Sequence, residues 1–357
     1  MNERIHLIVH PSDQTQSDWV RLLLPMLQFM VPNEFQILPT ISQIPINNKE
    51  ILKRTKAVIL QKPTMPGHAQ TALMYSKLKQ ECGFKLLTDM DDLMWDLSPI
   101  IRSYAPPDVE NIEQHTQITL RQVLSVFDAV ICSTRYLASR IKSDLSVKNV
   151  VVMPNGVSQS LFGFNNSTQN RLKPDEKIRV MYAGNLGHTK EGYVGDFEGP
   201  WIPWLRENIE KGTFDFYIFG CPDFLQDLEG KFKSIPYTST LQFPATAASI
   251  RPHFYLAPLT SNNFNRAKSD LKLKEAAALD AVFIGSDFAG SPYRYAPKNQ
   301  LVPNSATKDD LNNLFQNLCN PENFQLAIQW QRQLLEEKHC LHEDPIFQQN
   351  FTQTYFL

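Results

Sequence analysis

The sequence has few cysteines and no cysteine motif. Its five cysteines, in a chain of 357 residues, are scattered and odd in number. None belongs to a CxxC pair. The spacing therefore argues against a disulfide framework and against a zinc site, and it favours free thiols in a reducing compartment.

Long apolar runs and targeting signals are also missing. No run of about 18 apolar residues occurs, so we expect no membrane-spanning helix. The amino-terminal residues MNERIHLIVH lack a basic segment followed by an apolar one, so we expect no signal peptide and a cytoplasmic location. Residues 19–31 are rich in apolar residues and contain a single basic residue, Arg21, which favours a core helix over a helix resting on a lipid surface.

Two further absences narrow the class of protein. The formal net charge is −2, which gives no support for nucleic-acid binding, where a basic stripe is expected. No GxGxxG sequence follows a predicted strand, so a dinucleotide-dependent oxidoreductase is disfavoured.

What the sequence does have is an alternation of apolar strands and amphipathic helices. The chain is 42% apolar and 20% charged, and at about 150 residues per domain its length predicts two domains. Strand–helix alternation predicts parallel sheets in both halves. The polar segment 158–176 is the best linker, which gives domains at 1–160 and 175–340 and a terminal segment at 341–357 that contains a last helix. A short strand is expected near 241–243.

Acidic residues follow the predicted strand 85–88. Asp89, Asp91 and Asp92 lie where a parallel sheet binds its ligands, at the carboxyl ends of the strands. One of them is a candidate general base or a group that orients an acceptor hydroxyl. The alternatives are a cap for a helix at 93–97 and a DxD-like metal site.

Two glycine-containing turns follow other strands. Asn155-Gly156 predicts a tight turn, or a backbone that approaches substrate at an interdomain hinge. After strand 178–183, Gly184 and Gly187 allow the backbone to come close to a phosphate.

The loop after Gly184 supplies further candidates. Asn185, His188 and Lys190 lie in this loop, where His188 and Lys190 are candidate contacts for a diphosphate. The alternative for His188 is an exposed loop residue without a function, and Asp196 is a candidate cap of the next helix.

The most informative stretch is 264–287, which predicts a helix followed by a strand. Lys268, Lys272 and Glu275 are spaced to line one helix face. Lys268 and Ser269 lie at the predicted helix start, where backbone N–H groups and the helix dipole favour an anion. Glu275 suits hydrogen bonds from sugar hydroxyls, or alternatively an ion pair with Lys272 on an exposed face. A nucleotide sugar fits this combination.

Four segments together resemble the GT-B glycosyltransferases, and family 4 in particular. They are TDMDDLMWDLSP at 88–99, VVMPNGV at 151–157, VMYAGNLGH at 180–188 and the stretch 256–287. The resemblance implies two Rossmann-like α/β domains that face each other across a cleft, with the acceptor on the first and the nucleotide-sugar donor on the second. It also implies that the terminal helix returns to the first domain.

The resemblance assigns roles to the candidate residues. Glu275 corresponds to the acid that holds the donor ribose, whereas the family's second glutamate, eight positions earlier, is replaced by Ala267. The diphosphate then falls to the basic residues Lys190, Arg266, Lys268 and Lys272. The implied catalytic set is Asp89, Asp92, His188 and Lys268, and the implied donor-binding set is Gly184, Asn185, Lys190, Arg266, Ser269, Lys272 and Glu275.

The implied reaction is sugar transfer from a nucleotide diphosphate sugar, such as a UDP- or GDP-sugar, to an acceptor hydroxyl. Retention of the anomeric configuration is expected, with no metal and no further cofactor. The acceptor is expected to be a glycan, a lipid-linked glycan or a modified DNA base, as for phage enzymes of this fold. A sugar-nucleotide epimerase and an inactive nucleotide-sugar-binding module remain alternatives.

Overall fold

A computed structural model of the chain contains two parallel six-stranded sheets. It describes residues 3–12, 19–28, 35–64, 66–104, 109–162, 172–173, 176–184, 195–220, 223–236 and 238–356.

The first sheet has the strand order β2-β1-β3-β4-β5-β6, with every pair parallel. The elements of this half are β1 Glu3–His10, α1 Leu24–Gln28, β2 Phe35–Ile41, α2 Lys49–Leu52, β3 Thr55–Gln61, α3 Pro66–Cys82, β4 Lys85–Met90, α4 Pro99–Tyr104, α5 Val109–Leu124, β5 Ala129–Cys132, α6 Arg135–Leu145 and β6 Val150–Val152.

The second sheet has the order β12-β11-β10-β7-β8-β9, again with every pair parallel. Its elements are β7 Arg179–Ala183, α7 Trp201–Lys211, β8 Asp215–Phe219, β9 Lys233–Ile235, α8 Gln242–Ile250, β10 Phe254–Ala257, α9 Asn263–Ala267, α10 Leu271–Ala278, β11 Val282–Asp287, β12 Leu301–Pro303, α11 Lys308–Leu318 and α12 Pro321–Glu337; α13 Pro345–Tyr355 follows the sheet.

Each sheet has one point at which the chain reverses its direction across the sheet. In the first sheet this point lies between β1 and β3, and in the second it lies between β7 and β10. Open α/β sheets bind ligands outside the carboxyl ends of the strands at such a point. The topology therefore gives each domain one preferred ligand position.

Apolar side chains cover both faces of each sheet, as a parallel sheet requires. Every residue of β10 is buried. The terminal helix α13 packs back on the first sheet, where Phe347, Phe351 and Tyr355 share a cluster with Leu7 and Ile59. None of the helices in the described ranges has the length and the apolar character needed to cross a membrane.

The chain passes between the two domains twice, and the two passages pair with each other. Val157 forms an isolated parallel bridge with Leu341. Beside this bridge, the Glu343 carboxylate accepts hydrogen bonds from the Ser158 hydroxyl at 2.8 Å and from the Ser160 backbone N–H at 3.0 Å. These contacts hold the two passages together.

Outside the candidate site, two predicted elements are wrong. Residues 241–243 do not form a strand: Leu241 precedes α8, and Gln242 and Phe243 are its first residues, a start that is compatible with Pro244 in the first helical turn. The helix considered at 93–97 is a series of turns, and α4 begins at Pro99. The helix expected around 17–29 is present in the described residues, where a π-helical turn, Trp19–Leu23, continues directly into the short α1; Pro25 lacks an N–H, which interrupts regular α-helical hydrogen bonding.

Candidate functional site

The predicted donor helix is broken into α9 and α10. Lys268 has an extended backbone (φ −62°, ψ 152°) that ends α9, and Asp270 is the residue before α10. The Thr134 hydroxyl donates a 3.0 Å hydrogen bond to the Ala267 carbonyl, which therefore has a side-chain partner at the point where α9 ends. The prediction that Lys268 shares a helix face with Lys272 and Glu275 is wrong, because Lys268 lies in the break.

Lys272 reaches the switch point of the second sheet. Its ammonium group donates a 2.5 Å hydrogen bond to the carbonyl of Ala183, the last residue of β7, and lies 4.3 Å from the centre of the Tyr182 ring. Burial lowers the pKa of Lys272 to about 8, although Glu275 and Asp196 oppose the shift. The cation is therefore held at the carboxyl end of β7, where an anion would meet it.

Glu275 is buried one helical turn further along α10. The hydroxyl of Tyr255, in the middle of β10, donates a 2.8 Å hydrogen bond to its carboxylate. Burial raises the pKa of Glu275 to about 7, while the Tyr255 hydrogen bond and Lys272 pull the pKa down. Further hydrogen-bond donors, such as sugar hydroxyls, would stabilise the ionised form of this buried carboxyl group.

Hydrogen bonds to Asp196, which lies after β7, link this segment to the residues that follow β10. This buried carboxylate accepts hydrogen bonds from the Asn265 side chain at 2.7 Å and from the Thr260 N–H at 3.1 Å. The expectation that Asp196 is a simple helix cap is wrong, because the residue before α7 is Pro200 and no side chain in the described part of the chain caps that helix. Sequence reasoning missed Asn265, Thr260 and Tyr255, since nothing in their local spacing marks them.

Gly184 is required by close packing at the end of β7. A Cβ at this position would lie 2.3 Å from the Tyr182 hydroxyl. We expect Gly184→Ala to displace the Tyr182 ring from its place beside Lys272 and to weaken nucleotide binding about tenfold or more, because misplaced binding groups lose most of their contribution. Titration of UDP and GDP into both proteins measures this, with Gly67→Ala as a control at a glycine that has no atoms near the added Cβ and no positive φ. Equal affinity for Gly184→Ala and the wild type would contradict it.

The first domain contributes a buried ion pair at the end of β4. The Arg21 guanidinium donates to both carboxylate oxygens of Asp89, at 3.0 and 2.6 Å, and Tyr355 donates to the same carboxylate at 2.5 Å. Asp89 is fully buried. Its prediction as a catalytic residue is therefore corrected: the carboxylate is enclosed and neutralised by Arg21. The signal that sequence reasoning passed over is the lone arginine of an apolar segment, which needs a buried partner.

Asn155 joins this ion pair to the second domain. Its side-chain oxygen accepts from Arg21 at 2.8 Å, its side-chain N–H donates to the Ser269 hydroxyl at 2.8 Å, and its carbonyl accepts from Lys274 at 2.6 Å. Lys274 is also paired with Asp270 at 2.9 Å. Ser269 therefore bonds to the passage between the domains. This contact favours the interpretation of Asn155-Gly156 as part of an interdomain hinge over that of a tight turn alone.

Charged groups of the two domains face each other beside this joint. Asp92 of the first domain lies 3.7 Å from the Lys268 ammonium and 3.8 Å from that of Lys62. Lys62 is also 2.7 Å from Asp91, and burial together with Asp92 raises the pKa of Asp91 to about 6, against the effect of Lys62. Within the described ranges, no group of three or more His, Cys, Asp or Glu side chains is arranged to hold a metal ion.

Position 267 is turned towards the first domain. Ala267 and Phe264 pack in a cluster with Leu93 and Leu137, and Ala267 is fully buried. A glutamate here would place a carboxylate among apolar side chains, at a high free-energy cost. A small apolar side chain at position 267 therefore suits the apolar contact that α9 makes with the first domain.

The remaining predicted residues divide into two groups. Among the described residues, Arg266 makes long hydrogen bonds of 3.5 Å to Asn263 and Ser261 and no shorter one. Asn185, Gly187, His188 and Lys190 lie outside the described residues, so their predicted roles stay predictions.

Comparison with solved structures identifies the architecture. Sucrose-phosphate synthase from Thermosynechococcus elongatus matches with a TM-score of 0.59 and 12% identity, over 99% of this chain and 98% of that one. HepE of Anabaena, solved with UDP-glucose, gives 0.59 and 10% identity over 98% of both chains. An alpha-glucosyltransferase solved with UDP-glucose and DNA containing an abasic site gives 0.55 and 9% identity over 99% of both.

These matches extend over both domains, so the chain has the two-domain GT-B fold of glycosyltransferases. The predicted fold class is confirmed. In sequence, by contrast, no protein-family model and no curated protein matches this chain.

Proposed function

We propose that the protein is a glycosyltransferase that moves a sugar from a nucleotide diphosphate sugar to an acceptor hydroxyl. The observation that carries the proposal is the pair Lys272 and Glu275 at the switch point of the second sheet. A half-buried cation lies at the end of β7 and a buried carboxylate lies one helical turn away beside β10. In a bound nucleotide, the Lys272 ammonium would pair with the diphosphate, and the Glu275 carboxylate would accept hydrogen bonds from the ribose hydroxyls.

The reaction places negative charge on the leaving diphosphate and positive charge on the sugar ring. Lys272 would stabilise the developing negative charge, because a cation fixed in a partly buried site needs no reorganisation when the bond breaks. Lys268, from the break between α9 and α10, is a second cation near the cleft, and Asp92 faces it from the first domain. Transfer with retention and without a metal is part of the proposal, as is a UDP- or GDP-sugar donor.

The joint through Asn155 supports a cleft that opens and closes. Asn155 links the buried Arg21 of the first domain to Ser269 and Lys274 of the second. Asp92 and Lys268 are already 3.7 Å apart, so the donor sugar would enter while the cleft is open, and closure around it would exclude water and limit hydrolysis of the donor.

A thermal-shift screen tests the donor site. UDP, GDP and their glucose and mannose conjugates are added to the wild type, where at least one is expected to raise the melting temperature. Glu275→Ala is expected to abolish most of that rise, because a ribose held by a buried carboxylate loses its main hydrogen-bond acceptor. Glu336→Ala, an exposed acid on α12 of the same domain, is the matched control.

The outcomes separate the alternatives. No stabilisation of the wild type by any nucleotide, or full stabilisation of Glu275→Ala, would contradict the donor site. Binding with turnover of the nucleotide sugar to an isomer in the absence of an acceptor would identify an epimerase. Binding without any transfer or hydrolysis would identify a module that only binds nucleotide sugars.

A further inference from the structure

The carboxyl edge of the first sheet contains buried polar atoms that the protein does not satisfy. Gln61, the last residue of β3, is 2% exposed, and among the described residues neither its amide nitrogen nor its amide oxygen has a hydrogen-bond partner. The hydroxyl of Ser133, directly after β5, is buried and has no partner in the same ranges. Buried polar groups are nearly always bonded, so three unsatisfied atoms along one edge require an explanation.

Topology puts this edge where a ligand is expected. β3 is one of the two strands at the switch point of the first sheet. Gln61 is in register with Asp89 of β4, so the two side chains emerge on the same face. Beyond Gln61, Lys62 has a left-handed backbone with φ of 42°, which turns the chain away from the sheet and leaves Gln61 at the end of the strand.

The chemistry of the edge selects the kind of ligand. An amide offers donors and an acceptor, and a hydroxyl offers both, so Gln61 and Ser133 match groups that donate and accept at once. The charged side chains beside them are the acids Asp89, Asp91 and Asp92 and the cations Arg21, Lys62 and Lys268, so this edge has no excess of positive charge. A polyanion such as the DNA backbone would need an excess of cations.

We propose that Gln61 and Ser133 form an acceptor subsite for the hydroxyl groups of a carbohydrate, with Asp91 and Asp92 at its border. The inference rests on the proposed function, since it supplies the acceptor for the donor bound by the second domain. Gln61 contacts the acceptor and sets its class.

The test compares two buried glutamines, Gln61 at the end of β3 with an amide that is not bonded and Gln331 on α12 with an amide that is. Gln61→Met removes an unsatisfied amide at nearly constant volume, so the melting temperature is expected to stay level or rise. Gln331 is equally buried, but its amide donates to the Ala281 carbonyl at 2.7 Å and accepts from the Phe283 N–H at 2.9 Å. Gln331→Met is therefore expected to lower the melting temperature.

Binding is followed by saturation-transfer NMR with the methyl glycosides of glucose, galactose and mannose, and by titration with a 20-base-pair DNA duplex. At least one glycoside is expected to bind the wild type, and Gln61→Met should weaken it about tenfold or more. The nucleotide-induced thermal shift should be unchanged in Gln61→Met, and glycoside binding should persist in Gln331→Met.

The inference is overturned if no glycoside binds the wild type, if Gln61→Met binds it as well as the wild type does, or if Gln61→Met is clearly less stable. Salt-sensitive duplex binding that is lost in Gln61→Met would overturn it in favour of a DNA acceptor. A failure of the donor site is seen separately, as loss of the nucleotide-induced shift in wild-type protein.

Discussion

Asp89→Asn is expected to destabilise the protein by about 3–5 kcal/mol, the usual cost of removing one member of a buried ion pair. The substitution removes the charge that neutralises Arg21 and leaves the guanidinium in a site where its side chain is only 1% exposed. Arg21 also donates to the Met153 carbonyl at 2.5 Å and to the Asn155 side chain at 2.8 Å, so the loss should extend to the passage between the domains. Urea-induced unfolding followed by circular dichroism measures the change.

Two further variants sharpen this experiment. Asp92→Asn removes a carboxylate from the same strand end, but one that is 29% exposed and 3.7 Å or more from its two cations, so its effect on stability should stay within about 0.5 kcal/mol. The double variant Arg21→Met, Asp89→Leu should recover part of the loss, because it leaves no unpaired charge. Unchanged stability in Asp89→Asn together with lost transfer would instead restore Asp89 to the catalytic set.

Much of the fold could be predicted because the strands and helices of parallel α/β domains have recognisable sequence patterns. The strand at residues 129–132 coincides with β5, and those at 57–60 and 85–88 fall inside β3 and β4. Strands buried on both faces are short apolar runs, and the helices between them are amphipathic. Two of the errors lie beside a proline, Pro99 or Pro244, whereas the break between α9 and α10, at residues 268–270, contains none.

The site was only partly predictable, because its geometry depends on contacts between distant segments. Lys272 and Glu275 lie together as their spacing on one helix indicates. Lys268 does not join them, since Thr134, 133 positions away, bonds the Ala267 carbonyl where α9 ends. Nothing local in the sequence reveals that bond.

Gln61 is a residue that the sequence did not mark as a candidate, although the structure does. A glutamine at the end of a strand is unremarkable in sequence, and only the absence of partners for its buried amide marks it. Asp89, in contrast, looked functional in an acidic cluster and proved to be the partner of Arg21. The role of a polar residue at a strand end can therefore be assigned only when its hydrogen-bond partners are known.

Lys272→Met is expected to weaken binding of UDP or GDP by about 10- to 100-fold at pH 7.5, the range for a lost charge-assisted hydrogen bond. The wild type should also show a characteristic pH dependence. Burial lowers the pKa of Lys272 to about 8, so the ammonium is mostly charged below pH 8 and mostly neutral above it. A bound diphosphate favours the charged form and raises this pKa. Nucleotide affinity should therefore fall as the pH rises through 8, by up to about tenfold per pH unit.

Calorimetric titration between pH 7.5 and 10 isolates this lysine, because Glu275, with a pKa of about 7, is largely ionised throughout that range. Lys272→Arg is the decisive control: an arginine stays charged to above pH 12, so this variant should retain most of the affinity and lose the alkaline decline. Lys272→Met should be weak and independent of pH. An alkaline decline that persists unchanged in Lys272→Arg would show that another group titrates, and the diphosphate would then have to be assigned to a different cation, of which Lys268 is the nearest candidate in the described cleft.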